Sequence, residues 1–355
     1  MYEAIVVTTD DPRWDRYVLG ADRHDIYFSA AYTKVWEKQE CAKGELYIYG
    51  NSDQFVLLPY LRRNIPSDLA GKDKKQWYDI VSPYGYGGVL TKGVSSSLMR
   101  DFFLNLWEHC RSTNVVSEFV RLHPLIENVW WVADFVSVTK RNPTVFVDLT
   151  IPVDAIFSDF RKGHRGSVKK ALRSNIEIEF DRRKEHLGTF IELYKQTMAR
   201  NEASKGYFFS DEFFYNSIQL LGENCSLVCA WYSNKIVSAA IFIHAGEFIH
   251  YHFSGSDEAY NSKAPNHLLL YEVIKWAKDN GFKKLHLGGG VDGPEDELFL
   301  FKAGFSRCRG VFYTYENVHN ASKYRELSER KCQRDQISLS EIERSTFFPF
   351  YRRGK

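Results

Sequence analysis

Hydrophobic and polar positions predict a strand, a helix and a second strand between residues 248 and 287. Residues 248–253 are aromatic and β-branched, as strands are. Residues 266–280 follow a helical pattern that Pro265 opens and Gly281 is placed to end. A strand–helix–strand unit with polar loops at its strand ends is where α/β folds bind ligands. This segment therefore carries the first functional expectation.

The same patterns run through both halves of the chain. Each half is predicted to contain a helix, two antiparallel strands, a further strand, a helix and a strand, which indicates an internal duplication of one α/β unit. The other predicted strands are residues 45–49, 54–60, 118–122, 145–149, 226–232 and 235–244, and the other predicted helices are residues 30–39, 95–111, 187–201 and 211–221.

The length of 355 residues favours two domains, since a typical domain has about 100–200 residues. Pro152 follows a predicted strand and suggests a boundary there. We predict an α/β fold with mixed sheets, a first domain over residues 1–150 and a second over residues 151–317. Residues 318–355 are predicted to form a helical tail that packs back on the body of the protein.

Composition excludes several classes of protein. The net charge of +2 argues against a protein that coats DNA. The first residues lack the apolar region of a signal peptide, and no stretch has the 18 or so apolar residues of a membrane span. The six cysteines are scattered and most lie among apolar neighbours, so reduced, buried thiols and a cytoplasmic location are expected. A metal pair at Cys225 and Cys229 is the alternative, but no His or Cys partner pair has ligand spacing.

Two basic segments offer contacts for anions. Residues 161–173 contain six Lys or Arg, and read as a helix from Ser167 they place Lys169 outward. Arg165 and Lys169 are therefore candidates for phosphate contacts, with a solvated helix face as the alternative. The aromatic and basic residues 347–353 predict a packed tail or a peripheral membrane contact.

Three further features suggest a site. His250 and His252 share one face of their predicted strand, where they could form a structural pair, bind a metal or transfer protons. Asp257 follows on the same segment. The glycine-rich loop around Tyr84 is either a tight turn or the wall of a groove for a bulky ligand. No metal is required by this reading.

Lys302 lies in the apolar run Leu298–Phe305. A lysine at such a position either extends to solvent or points at a negative charge. An ammonium group that faces a closed cleft can stabilise the oxyanion of an acyl-transfer intermediate. Lys302 is therefore the leading catalytic candidate from the residues alone.

Six blocks of this sequence resemble the Fem family of peptidoglycan bridge-forming aminoacyltransferases and the wider group of proteins with two tandem GNAT-type domains. The blocks are residues 82–88, 120–124, 164–171 with 175–178, 190–200, 252–257 with 264–266, and 288–305. The resemblance implies two GNAT-like domains with a cleft between them. It also implies transfer of an acyl or aminoacyl group to an amine on a cell-envelope precursor.

The resemblance assigns roles to particular residues. Phe301 and Lys302 match a pair that lies beside the aminoacyl ester in Fem enzymes. Lys38 matches a lysine that contacts the acceptor phosphate, and Arg200 and Tyr207 match two residues that follow the long helix of the second half. The second block adds Arg121, and the first adds Tyr84. The substrate-binding candidates are therefore Lys38, Tyr84, Arg121, Arg165, Lys169, Arg200, Tyr207 and Phe301.

The chain departs from ordinary GNAT enzymes in one loop. Those enzymes hold the pyrophosphate of coenzyme A (CoA) with a glycine-rich loop before the central helix. Here residues 260–265 contain no glycine and end in a proline, which lacks an N–H donor. The chain also lacks the heptad repeat of the coiled-coil arm found in some Fem proteins.

We therefore predict an N-acyltransferase that holds no permanent cofactor. Its donor would be aminoacyl-tRNA or acyl-CoA, and its acceptor a phosphate-bearing glycan or cell-wall precursor. Lys302 would stabilise the oxyanion, and proton removal would fall to His252, to Asp257 or to the substrate's phosphate. Two alternatives are an acetyl-CoA-dependent N-acetyltransferase acting on an amino sugar and a non-catalytic scaffold with the same fold.

Overall fold

The structure is a computed structural model that describes residues 2–70, 75–290 and 296–354. It divides into two compact units. Unit 1 comprises Met1–Arg141 and Phe312–Lys355, and unit 2 comprises Asn142–Val311. The boundaries thus lie at residues 141 and 311, whereas the sequence suggested residues 150 and 317. The predicted tail is part of unit 1.

Unit 1 is an α/β unit built on one mixed sheet. Its strands run in the order β1-β2-β3-β4-β6-β13, and β5 pairs with β3. β4 and β6 are parallel, and the other neighbours are antiparallel. The elements are β1 (Glu3–Thr8), α1 (Arg13–Gly20), α2 (Ala30–Gln39), β2 (Ala42–Gly50), β3 (Phe55–Asn64), α3 (Ser67–Ala70), β4 (Tyr78–Val81), β5 (Leu90–Lys92), α4 (Ser96–Ser112), β6 (Val115–Arg121), α5 (Val129–Val132), β13 (Arg309–Val318), α12 (Ala321–Asp335) and α13 (Ser340–Arg344). The chain passes from unit 1 to unit 2 within β7 (Val138–Asp148) and returns within β13.

Unit 2 repeats this arrangement. Its strand order is β7-β12-β11-β10-β9-β8, in which β11 and β12 form the parallel pair. The elements are α6 (Val153–Asp159), α7 (Lys162–Arg173), β8 (Glu177–Asp181), α8 (Leu187–Arg200), α9 (Asp211–Leu221), β9 (Cys225–Tyr232), β10 (Lys235–Ala245), β11 (Phe248–Ser256), α10 (Pro265–Asp279), β12 (Lys284–Gly288) and α11 (Glu297–Ala303).

In both units three antiparallel strands lead into a strand that a helix connects to a parallel neighbour. The helix is α4 in unit 1 and α10 in unit 2. A sixth strand, antiparallel to the last, completes each sheet: β13 in unit 1 and β7 in unit 2. This common order supports the duplication predicted from the sequence and gives both halves the mixed α/β architecture that was expected.

Local sequence explains where the main helices begin and end. The Ser210 side chain accepts a hydrogen bond from the Phe213 N–H and caps α9, and Gly222 ends that helix with a φ of +54°. Pro265 occupies the first position of α10, where a missing N–H costs nothing. The apolar face of α10, including Leu269 and Ile274, is buried in the core of unit 2.

One predicted helix is longer than expected. We predicted a start at Ser167, but α7 begins at Lys162 and contains Gly163 and Gly166. Glycine has a low helix propensity, so sequence alone favours the later start. Tertiary packing overrides that preference, because the His164 ring packs against Phe305 with 4.7 Å between ring centroids.

The tail is anchored to unit 1 by buried polar contacts. The Tyr351 hydroxyl lies 2.7 Å from the Ser117 hydroxyl of β6, and Arg352 donates to the Asp79 carboxylate at 2.5 Å. Tyr351 is buried. Residues 347–353 therefore include a packed segment, one of the two interpretations that the sequence allowed. Among the helices of the described ranges, none combines the length and the apolar character that crossing a bilayer demands.

Candidate active site

Lys302 is buried at the glycine-rich end of β12. It lies in α11, is 8% exposed, and its Nζ donates a 2.7 Å hydrogen bond to the Gly289 carbonyl oxygen. Desolvation by burial lowers the pKa of Lys302 to about 8, and the nearby Asp296 opposes this shift. An ammonium group with this pKa is mostly charged at neutral pH and carries two further N–H donors.

The backbone that carries Lys302 is held by a neighbouring helix. The Nε2 atom of His164, a residue of α7, lies 2.8 Å from the Phe301 carbonyl oxygen. The rings of His164, His267, Phe301 and Phe305 pack together, with centroid distances of 4.7 to 5.7 Å. Phe301 is thus part of an aromatic cluster beneath α11, and this cluster fixes the position of the adjacent lysine.

The histidines of β11 lie on the strand next to β12. His250 pairs in parallel register with His286, and their Nδ1 atoms are 3.4 Å apart. His252 lies two residues further toward the carboxyl end of β11, as Gly288 does on β12. Burial, followed by the effect of His250, lowers the pKa of His252 to about 3. His252 therefore presents a neutral imidazole on β11, just beyond the residues of that strand that pair with β12.

Asp257 is held by structural contacts. Its carboxylate accepts hydrogen bonds from Lys235 at 2.7 Å and from the Ala259 N–H at 3.1 Å. The Lys235 hydrogen bond is the main cause of the lowered pKa of Asp257. A carboxylate with a lowered pKa is a poor proton acceptor, so the geometry favours an ion pair and a turn cap over the predicted catalytic role.

Other predicted phosphate contacts of unit 2 differ in their availability. The Arg165 guanidinium donates to the carbonyl oxygens of Ser158 and Phe160, at the end of α6. Arg200 donates to the Ser256 carbonyl oxygen at 3.3 Å from the last turn of α8. Lys169 is exposed on α7. Arg165 is thus used to join two helices, whereas Lys169 faces solvent.

Tyr207 belongs to the segment that follows α8. Its carbonyl oxygen accepts a 2.7 Å hydrogen bond from the Tyr194 hydroxyl, and its side chain is half-buried. The Ser256 carbonyl that accepts from Arg200 also lies in this part of unit 2, at the end of β11. Arg200 and Tyr207 therefore flank the carboxyl end of β11 through backbone contacts.

The predicted residues of unit 1 gather around the loop of residues 82–88. The Tyr84 ring stacks on Trp36 of α2 with 4.9 Å between centroids, and Lys38 is exposed in the last turn of the same helix. Gly85 has a φ of +85°, and a Cβ there would lie 2.5 Å from the Tyr27 ring. The loop is therefore a turn that requires glycine at Gly85, with an aromatic contact beside it, and its role as the wall of a ligand groove stays a prediction.

Arg121 ends β6 beside this loop. Its backbone N–H donates to the Ser82 hydroxyl at 3.0 Å, and its guanidinium donates to the Ser82 carbonyl oxygen at 3.3 Å. The guanidinium lies 5.0 Å from the centre of the Phe119 ring. Among the described residues, no carboxylate forms an ion pair with Arg121. Its positive charge is therefore not neutralised by a neighbouring carboxylate.

Two contributors to the site escaped the sequence analysis. The sequence places His164 in a basic segment and Gly289 in a glycine run, both within blocks that resemble the Fem family, but assigns no role to either residue. Their roles depend on contacts with residues far along the chain, namely Phe301 and Lys302. The glycine run Gly288–Gly290, which starts at the last residue of β12, is the available signal, since glycine allows close approach of backbone to a side chain. Residues 291–295 of the same block lie outside the described residues.

The cysteines are more varied than the sequence suggested. Cys225 and Cys229 are buried in β9, and burial raises the pKa of each thiol to about 12. Cys41 is exposed, however, and Cys308 is half-buried. The expectation of generally buried thiols is therefore wrong for these two residues, because they lie at a helix end and in a loop before β13.

Comparisons with known proteins agree with the two-unit architecture. Residues 158–296 match the family described as acetyltransferase (GNAT) domain. FemX has 14% sequence identity and a TM-score of 0.69, over 91% of this chain and 98% of that chain. L-PGS from Bacillus licheniformis has 12% identity and a TM-score of 0.55, over 87% and 92% of the two chains.

A conserved protein of unknown function from Bacteroides thetaiotaomicron VPI-5482 has 14% identity and a TM-score of 0.55, over 88% and 99% of the two chains. None of the curated proteins has a sequence that matches this chain significantly. The predicted likeness to Fem-type proteins is confirmed at the level of the fold. The chain therefore shares its fold with FemX, and the GNAT match over residues 158–296 supports the acyltransferase class.

Proposed function

We propose that this protein is an N-acyltransferase that moves an acyl or aminoacyl group from an activated ester or thioester to an amine of a cell-envelope precursor. The observation that carries the proposal is the buried ammonium group of Lys302 at the end of the parallel strand pair of unit 2. Ligands of α/β folds bind at such strand ends. The fold shared with FemX supports the aminoacyl form of the reaction.

In the proposed step, the nitrogen of a neutral acceptor amine attacks the carbonyl carbon of the donor. A C–N bond forms, and the negative charge that develops on the carbonyl oxygen is stabilised by the Lys302 ammonium group. When the intermediate collapses, the C–O or C–S bond of the donor breaks. The proton released by the amine balances the proton gained by the leaving hydroxyl or thiol.

Neither predicted general base has a pKa near neutral. The pKa of His252 is lowered to about 3, and the pKa of Asp257 is below its ordinary value. A general base works best when its pKa lies near the operating pH. The amine therefore enters as the free base, and the side chains of unit 2 orient the reactants and stabilise charge.

The acetyl-CoA-dependent reaction is the second candidate. The GNAT family match over residues 158–296 favours it, because acetyl-CoA is the donor that the family description suggests. Pro265 at the first position of α10 counts against it, since that position supplies no N–H to a pyrophosphate. Direct comparison of donors distinguishes the two reactions.

The test is a donor screen with a matched pair of variants. Purified protein is offered aminoacyl-tRNA or acetyl-CoA, each radiolabelled, with amine acceptors such as a UDP-linked muropeptide or amino sugar. We expect transfer from one donor, a loss of about 10²-fold in Lys302→Met, and wild-type turnover in Lys283→Met, an exposed lysine paired with Glu247. Wild-type turnover in Lys302→Met, or no transfer from either donor, would overturn the proposal and leave the scaffold alternative.

A further inference from the structure

Unit 1 contains a cleft of about 560 Å³ with a strongly basic lining, which we call the arginine cleft. Its walls come from the strand ends of β3, β4, β6 and β7, from α12 and from tail residues 346–353. Among the residues that the structure describes, Glu40 is the one acidic residue in this lining, and it pairs with Arg63 at 3.1 Å. The lining arginines are Arg63, Arg121, Arg141, Arg334, Arg352 and Arg353.

Five of these arginines are held in place by carboxylates. Arg63 and Arg352 share the buried Asp79, with N–O distances of 2.8 and 2.5 Å. Arg141 is held at 3.3 Å by Glu316. The other two pairs are Arg334 with Asp68 and Arg353 with Glu341. Pairing with the buried Asp79 holds Arg63 and Arg352 more firmly than the surface ion pairs hold Arg334 and Arg353, whose side chains are 38% and 40% exposed.

Arg121 differs from the other five. Its guanidinium has one 3.3 Å contact with a backbone carbonyl, and among the described residues it has no carboxylate within ion-pair distance. Burial lowers the pKa of Arg121, an effect that Arg63 reinforces and that Glu40 and Tyr84 oppose. Arg121 is half-buried, and removing an uncompensated charge from water is unfavourable. An anion in the cleft would offset that cost.

Arg121 and Arg141 lie close together across the sheet. Arg121 is the register partner of Thr314 on β13, and Arg141 donates to the Thr314 hydroxyl at 2.9 Å. Arg121 and Arg141, whose guanidinium groups each have several N–H donors, thus both lie near Thr314. Planar guanidinium groups bind phosphate through paired N–H donors, and two of them suit a group with several anionic oxygens.

We propose that the arginine cleft binds a phosphate-bearing ligand, with Arg121 as the principal contact. The cleft exceeds the size of a single phosphate, and Phe119, Phe347 and Phe348 provide an apolar wall beside the arginines. The ligand is therefore a phosphate or diphosphate joined to a larger organic group. This inference deepens the proposed function, because the acceptor of that reaction carries phosphate, yet it involves residues other than Lys38, Lys169 and Arg200.

The test measures binding without turnover. Pyrophosphate is titrated into the full-length protein by calorimetry at constant ionic strength. We expect saturable binding at one site, a loss of affinity of about tenfold or more in Arg121→Gln, and unchanged affinity in Arg111→Gln. Arg111 is an exposed arginine of α4 paired with Glu108, so this control removes the same charge from the same unit.

A second variant and a second arm complete the experiment. Arg353→Gln changes a more exposed lining residue and should weaken pyrophosphate binding several-fold, even if Arg121→Gln proves poorly folded. Vesicles of phosphatidylglycerol, with phosphatidylcholine vesicles as the comparison, show whether the phosphate can belong to a lipid. If the protein is retained on phosphatidylglycerol vesicles and this retention depends on Arg121 and Arg353, the ligand is a lipid headgroup. If the protein binds pyrophosphate but neither kind of vesicle, the ligand is soluble.

The inference is overturned if wild-type protein binds neither probe, or if both cleft variants bind as the Arg111→Gln control does. Failure of acyl transfer with intact pyrophosphate binding would remove the proposed function and leave the arginine cleft as a phosphate site. Acyl transfer without pyrophosphate binding would support the proposed function and remove the arginine cleft as a phosphate site. The two proposals therefore fail separately.

Discussion

A Cβ atom on Gly304 would lie 2.1 Å from Nε2 of His164. No side chain fits at Gly304 while the imidazole keeps its place, and that imidazole contacts the Phe301 carbonyl oxygen one residue before Lys302. The absence of a side chain at Gly304 thus allows α7 to approach α11 closely. This contact couples the packing of two helices to the position of the candidate catalytic lysine.

We predict that Gly304→Ala impairs both stability and transfer. His164 is enclosed by the rings of His267 and Phe305, so relief of the overlap must shift α7 or α11. Overpacking of this kind costs about 1–3 kcal/mol in the free energy of unfolding, measurable by urea denaturation. Gly166→Ala is the control, because nothing lies within 4 Å of its Cβ position in the exposed face of α7. That variant should gain about 0.5–1 kcal/mol, and a larger loss there than at Gly304 would contradict the packing argument.

The rate of transfer should fall as pH rises through about 8. The pKa of Lys302 is lowered to about 8, so above that pH the amine is neutral and no longer stabilises an oxyanion. The acceptor amine has the opposite requirement and must lose its proton to attack. A bell-shaped profile of kcat against pH is therefore expected, with its alkaline limb near pH 8. If the alkaline limb is absent from wild-type protein, the Lys302 ammonium group is not needed for the reaction.

Lys302→Met should be more stable than wild type at neutral pH. Lowering the pKa from 10.5 to about 8 corresponds to about 3 kcal/mol of penalty for burying the charged form. Below pH 8 the lysine is charged in both the folded and unfolded states, and the penalty is fully present. Between pH 8 and 10.5 only the folded state loses its proton, so the penalty shrinks as pH rises.

The measurement is the difference in free energy of unfolding between Lys302→Met and wild type at several pH values. We expect the advantage of the variant to be greatest below pH 8 and to decline toward pH 10.5. Loss of the hydrogen bond to Gly289 reduces the gain by about 1 kcal/mol. A variant that is less stable at every pH would show that the ammonium group is stabilised by its surroundings in a way that burial alone does not describe.

Acid should destabilise unit 2 before its carboxylates titrate. Burial lowers the pKa of His244 and of His267 to about 4 and that of His252 to about 3. Below pH 6.5 the unfolded state binds protons that these folded imidazoles do not, so stability falls as pH drops from 6.5 toward 4. Thermal melts across this range should show the decline, and His252→Gln or His267→Gln should make it shallower. An unchanged slope in both variants would contradict the assignment.

The sequence predicted elements wherever local signals and burial agree. Residues 211–221 were predicted as a helix with the bounds that α9 has, since Ser210 and Gly222 are strong terminators. The strand predicted over residues 235–244 differs from β10 by one residue. Hydrophobic periodicity and helix caps are local signals that act over a few residues. For these two elements, contacts with residues far along the chain do not change the boundaries that the local signals predict.

The sequence could not predict contacts between residues that lie far apart along the chain. The helical start of α7 depends on a ring cluster more than 100 residues away, and the lining of the arginine cleft depends on Asp79 joining Arg63 to Arg352. The sequence placed Lys302 and Arg121 among the candidates through their motifs. It could not show that Asp257 and Arg165 are held by structural partners, because those partners are fixed only by the fold.

The strand order of unit 1 bears on how the protein is made. β13 pairs with β6, and its Tyr315 is fully buried against the core that α4 also covers. The chain leaves unit 1 at Arg141 and returns only at Phe312. During synthesis, residues 1–141 therefore emerge with one edge of their sheet uncovered and must wait for about 170 further residues before it is sealed. Unit 2, whose residues are contiguous, is the part that can complete itself first on the ribosome.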